Sequence, residues 1–169
     1  MAFRKIITYP HPVLRQKAEP VTEFDEALHA LIQDMAETMY DAPGVGLAAN
    51  QIGIARQIIV VDPSDHDQEP DLRVFINPVV TEGTGSQLDT EGCLSVIDCM
   101  ASVKRFQKIH VTAQNADGTP LELDAEDRLA RIIQHEIDHL NGILFIDHLS
   151  PLKRTLYKKK LKKIIRERQ

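Results

Sequence analysis

The chain has 169 residues, 43% of them hydrophobic and 27% charged, the size and composition of one domain able to bury a core. Its two cysteines are too few for a disulfide-stapled secreted domain, and Met1 to Pro10 holds no apolar run long enough for a signal peptide or a membrane span. A soluble, cytoplasmic protein in a reducing compartment is expected, with residues 1–169 forming a single domain. The formal net charge of −5 is uneven: residues 153–169 carry nine Lys or Arg and one acid, so this tail is +8 and the body before it −13. Such a body does not suit DNA binding, whereas the tail suits a nucleic-acid backbone.

Leu28, Leu31, Ile32, Met35 and Met39 recur at helical spacing and Pro43-Gly44 ends the pattern, which predicts a helix from Phe24 to Asp41. The segment Gly44-Val45-Gly46-Leu47-Ala48-Ala49-Asn50-Gln51 is too glycine-rich for a helix and reads as a loop leading into a short extended stretch. Gln57 to Val61 and Val74 to Asn77 are rich in β-branched residues and read as strands, separated by the polar stretch from Pro63 to Pro70. From Lys104 to Leu123 the chain alternates around Asp117-Gly118, a hairpin signal. Asp124 offers an N-cap to a second helix, carried by Leu129, Ile132, Ile133, Ile137 and Leu140 and ended by Asn141-Gly142. Tyr157, Leu161, Ile164 and Ile165 make the lysine-rich tail an amphipathic terminal helix. The expected fold class is α+β: mostly antiparallel β-structure around a central helix, with an N-terminal helix and a C-terminal amphipathic helix.

Within the second helix, His135-Glu136-Ile137-Asp138-His139 sets two imidazoles four residues apart, on one face, where both can reach one ion. This is the HExxH pattern, in which the glutamate beside the first ligand acts as general base toward a water. A catalytic site of this kind has three protein ligands and an open position. Spacing alone leaves the third ligand open among Cys93, His110, His148 and several carboxylates. Cys93, in Glu91-Gly92-Cys93-Leu94-Ser95, stands out because a thiolate is a strong soft-metal ligand and the glycine beside it permits close approach. A zinc endopeptidase on the same helix and a non-enzymatic metal store or sensor are the competing readings.

Gly44 to Gln51, Glu91 to Ser95 and Gln134 to His139, in that order and at that separation, resemble the three motifs of the peptide deformylases. The resemblance runs from His11-Pro12 to Leu149-Ser150-Pro151-Leu152, and the length suits the bacterial type. It implies a hydrolase that removes the formyl group from the N-terminal formyl-methionine of new polypeptides and releases formate. It further implies one divalent ion, iron(II) in the cell with zinc, nickel or cobalt as substitutes, held by Cys93, His135 and His139 with water in the fourth position. Glu136 is then general base and general acid, while the Gln51 side-chain amide and the Leu94 backbone N–H donate to the formyl oxygen as charge develops there. A substrate lying as an added strand needs main-chain approach at Gly44 and Gly46, and Val45 and Ile132 are expected to wall an apolar pocket for methionine. The implied partners are N-formyl-methionyl nascent peptides. The basic C-terminal helix over 153–169 reads first as the solvated face of a packed helix, with docking to ribosomal RNA as the sharper alternative, and no membrane or DNA partner is expected.

One stretch departs from the family pattern. After Ser95 an aliphatic residue and then proline are common, whereas Val96-Ile97-Asp98-Cys99-Met100 has no proline, so this wall of the substrate groove is expected to differ in shape. Cys99 reads as a spare thiol, and Arg105 either pairs with Glu91 or, on the simpler account, is a solvated guanidinium. His11, His29, His66, His110 and His148 match no ligand position and are assigned no catalytic role.

Overall fold

The computed structural model describes residues 3–65 and 67–167. The first helix, α1 (Glu26–Asp41), starts later than Phe24 because Asp25 is its N-cap, accepting from Leu28 N–H at 2.9 Å. Seven strands follow: β1 (Gly46–Ala48), β2 (Ile58–Val61), β3 (Arg73–Thr84), β4 (Gln87–Cys93), β5 (Val96–Arg105), β6 (Lys108–Gln114) and β7 (Pro120–Glu126). Two helices complete the described chain, α2 (Asp127–Leu140) and α3 (Pro151–Glu167). The strands form an antiparallel five-stranded sheet in the order β1-β2-β3-β6-β7 and a separate hairpin, β4-β5. The α+β class expected from the sequence is therefore observed.

Strand β2 shows how the layers are built, because all four of its residues are buried. Strand side chains alternate between faces. Ile58 and Val60 pack with Leu28, Ile32, Met35 and Met39 of α1, whereas Ile59 and Val61 pack with Ala130 and Ile133 of α2. The two helices thus cover opposite faces of the sheet, and each aliphatic side chain buried between them contributes roughly 1.5–3 kcal/mol relative to exposure. A third cluster joins Val13 and Leu14 to Val96 and Val103 of β5, to Phe145 and to Tyr157 and Leu161 of α3. The terminal helix is therefore amphipathic as expected, with its lysines outside.

Three local expectations change. The strand read from Val74 to Asn77 continues to Thr84, past register shifts on either side of Val79 and Val80 that interrupt its alternation. Asp124 does not cap α2: it lies in β7 opposite His110, and β6-β7 pairing runs on to Glu126, so the helix begins only at Asp127. Asp127 adopts a left-handed backbone (φ 53°), and its N–H and carbonyl are held by Gln107 and Gln87 at 2.9 and 2.8 Å. The segment without proline, inside β5, faces α3 instead of a groove. Tyr157 Oη and Lys160 Nζ donate to the carbonyls of Ile97 and Asp98 at 2.6 and 3.1 Å. Among the described residues no helix is long and apolar enough to cross a membrane.

Candidate metal centre

Helix α2 presents His135, Glu136 and His139, all buried, toward β1 and the β4-β5 hairpin. The tight turn Leu94-Ser95 of that hairpin brings Cys93 onto the same face. The sulfur and one ring nitrogen from each histidine lie within 4.8 Å of one another, near enough for one ion to span, and Cys93 Sγ is 3.3 Å from His139 Nε2. Among the described residues this is the one such group of metal-binding side chains. One thiolate and two imidazoles suit borderline and soft divalent cations such as zinc or iron(II).

The His135 ring is fixed from behind, whereas His139 Nδ1 has no hydrogen-bond partner among the described residues. His135 Nδ1 meets Glu91 Oε1 at 2.9 Å, which leaves Nε2 for the ion. Glu91 in turn accepts from Arg105 Nε and Nη2 at 2.9 and 2.8 Å, and Arg105 Nη1 donates to Asp138 at 2.6 Å. Burial opposes the charge of Glu91, but Arg105 and His135 outweigh it and hold the carboxyl down at about 2. Arg105 is not the solvated guanidinium expected from the sequence: its side chain is 4% exposed because hairpin and helix close over it. Its charge survives burial because two carboxylates face it. On His135, burial is likewise outweighed, by Cys93 and Glu91, and the pKa is well above the usual value. That preference for positive charge beside the sulfur is one a cation satisfies. Burial and the neighbouring His135 hold His139 well below its usual value, in the neutral form that ligates metals. Asn50 Nδ2 donates to the His139 carbonyl at 3.0 Å.

Glu136 stands in contrast. Burial, reinforced by Glu91 and Asp138 against the pull of His135 and Arg105, pushes its carboxyl up to about 7. Its Oε1 has no hydrogen-bond partner among the described residues. A Cβ at Gly46 would lie 2.5 Å from Glu136 Oε2, and one at Gly44 would lie 2.9 Å from a Leu94 methyl. Both glycines thus answer to the site's own side chains, a steric reason that stands beside the substrate approach expected of them.

A cleft of about 330 Å³ opens on this group. Gly44, Val45, Gly46, Gln51, Cys93, Leu94, Ile132, His135 and Glu136 line it, and His139 lies buried behind. The sequence-predicted site residues therefore converge. Gln51 Oε1 accepts from Ala48 N–H at 3.0 Å, and its Nε2 donates to Ser95 Oγ at 3.0 Å with Cys93 Sγ at 3.7 Å. Residues 96–100 do not line the cleft. His11, His29, His110 and His148 do not line it either, and His66 lies outside the described residues. Sequence reasoning gave no role to Asp138, Asn50 or Ser95 and set the Arg105–Glu91 pair second to a solvated guanidinium. A usable signal existed for Glu91, since residues two apart in a strand share a face and Cys93 was already singled out.

The polypeptide deformylase family model matches residues 3–155. The chain is 56% identical over 164 residues to a peptide deformylase of Desulfotalea psychrophila, covering 96% of this chain and 97% of that protein. It is 49% identical over 166 residues to the Acidobacterium capsulatum peptide deformylase, covering 98% of each. A crystal structure of a peptide deformylase from Legionella pneumophila superimposes with a TM-score of 0.90 at 46% identity, covering 99% of this chain and 98% of that one. With a match over most of its length, the same fold and a converged cleft, this chain belongs to the peptide deformylase family.

Proposed function

We propose that this chain removes the N-formyl group from the formyl-methionine that begins newly made polypeptides, releasing formate and a free amine. The observation that carries the reading is the meeting, in one cleft, of a Cys-His-His ligand set with a buried glutamate whose Oε1 has no partner among the described residues. Cys93, His135 and His139 hold one divalent ion, iron(II) in the cell, with zinc, nickel or cobalt accepted by the same donors. When bound, the ion supplies Lewis acidity, lowering the pKa of water and polarising the formyl oxygen.

The remaining steps belong to side chains and backbone. Glu136 takes a proton from the attacking water and later delivers one to the nitrogen of the leaving amine, a double task suited to a carboxyl poised near neutrality. The water oxygen bonds to the formyl carbon, and the carbon–nitrogen bond breaks to give formate. The Gln51 amide and the Leu94 N–H donate to the formyl oxygen as charge develops on it. Gln51 is held for this by Ala48 and Ser95. Strand β1 is the edge of its sheet, and the peptide adds to it at Gly44 and Gly46, with the methionine side chain against Val45 and Ile132.

Formate release from a formyl-methionyl tripeptide tests the reading. Release is expected without cleavage of internal bonds. Internal cleavage would favour an endopeptidase, and metal binding without turnover a sensor. The substrate arises on ribosomes, and the exposed lysines of α3 favour a second contact there, with ribosomal RNA, by a protein working in the cytoplasm.

A further inference from the structure

The cleft carries two side chains that neither formyl chemistry nor a methionine pocket requires. Arg128 and Arg131, from the first turns of α2, both line it. Arg128 also lines a second cleft of about 320 Å³, which shares Pro43, Gly44 and Val45 with the first and continues past Tyr40 and Gln68. A peptide leaving the metal centre along β1 therefore passes Arg128 at the joint between the two clefts.

Among the described residues each guanidinium has one carboxylate partner. Arg128 Nη1 donates to Asp65 Oδ1 at 2.9 Å and Arg131 Nη1 to Asp89 Oδ2 at 2.8 Å. The pairs are lopsided in exposure. The Arg131 side chain is 18% exposed and that of Arg128 42%, whereas Asp89 and Asp65 are 58% and 61% exposed. Asp89 lines neither cleft, and Asp65 lines only the outer one. In the inner cleft both guanidinium groups thus face the peptide path without their aspartate partners, whereas in the outer cleft Arg128 shares the lining with Asp65 and Asp62. Exposed ion pairs of this kind are weak, so a substrate carboxylate can displace or share an aspartate partner at little cost. A guanidinium also offers further N–H donors in a fork that matches a second carboxylate. Helix α2 fixes where the arginines start, because Asp127 is pinned by Gln87 and Gln107 just before them.

We propose that Arg128 and Arg131 are specificity-determining residues that favour an acidic side chain within the two residues following the formyl-methionine. This rests on the deformylase reading above, and the two are separable by experiment. Formate release is measured for formyl-Met-Ala-Ala and for its glutamate and lysine counterparts at the second and third positions, with wild-type protein, Arg128→Gln, Arg131→Gln and the double variant. The expected result is a KM about five-fold lower for glutamate than for lysine at one or both positions, the ratio an exposed ion pair yields. The kcat is expected to be nearly the same for all peptides. The ratio shrinks toward one in the double variant and at high salt, and is partly kept in Arg131→Lys. Equal KM values for the two charges, or a ratio that survives the double substitution, would overturn the proposal while leaving deformylation intact. Failure to release formate from every peptide would instead remove the deformylase reading on which it stands.

Discussion

Glu91 and Glu136 are both buried in one cleft, yet their surroundings differ in kind. Both oxygens of Glu91 are occupied, by Arg105 and His135, and its carboxyl is held at about 2. Glu136 has an oxygen without a partner among the described residues and a carboxyl pushed up to about 7. A buried charge that is fully paired orients its neighbours, whereas one left partly unpaired is a proton carrier. The same helix thus has a fixed side, where His135 is aimed, and a reactive side facing β1.

Substitutions on the two sides should therefore fail differently. Cys93→Ala should have the largest effect on metal binding, weakening affinity by more than the roughly hundredfold upper limit seen for groups that only orient a ligand. Undiminished affinity in a metal titration would break the three-ligand account. On the fixed side, Arg105→Met leaves Glu91 buried without its cation. Chemical denaturation should report a loss of about 3–5 kcal/mol, and metal affinity should fall roughly ten- to a hundredfold. A protein unchanged in both would mean that Glu91 needs no counter-charge. On the reactive side, Gly46→Ala pushes a methyl against the Glu136 carboxylate. It should lower kcat about ten- to a hundredfold while the metal stays bound, and a normal kcat would show that Glu136 tolerates displacement. The smallest effect on chemistry is expected from reversing exposed Lys159, Lys162 and Lys163 of α3 to glutamate. Formate release from free peptides should not change, whereas cosedimentation with ribosomes at low salt should drop; equal pelleting would sink the RNA contact. Charge reversal is a cleaner test than truncation because Tyr157 and Leu161 anchor this helix in the third core.

The contrast between the two sides also separates what sequence makes legible from what it does not. Helices α1 and α2 follow from apolar periodicity, because their buried faces are set by burial against the large sheet, and strand β2 follows from its run of β-branched residues. The ligands and Glu136 follow from residue type and spacing on one helix. The β4-β5 hairpin leaves no such trace: Asp89, Thr90 and Glu91 make β4 polar, and the core that β5 joins through Val96 and Val103 is assembled from distant segments around Leu14, Phe145 and Tyr157. Arg105 is misread for the same reason. Its burial depends on Asp138, thirty-three positions away on another element, and no local pattern announces that. The start of α2 is missed because an N-cap type, Asp124, is already committed to a cross-strand pair. Gly46 is recognisable as special, but one reason for it, the close approach of Glu136 ninety residues further on, is not legible locally.

The most direct test of the account is a paired measurement on Glu136→Ala: metal content per chain and formate release from a formyl-methionyl peptide. The account predicts one ion per chain, as in the wild type, with turnover reduced by roughly a hundred- to ten-thousandfold, the range attributed to a general acid–base group. Loss of the ion together with activity would make Glu136 a ligand rather than a proton carrier. Turnover at the wild-type rate would contradict its role outright.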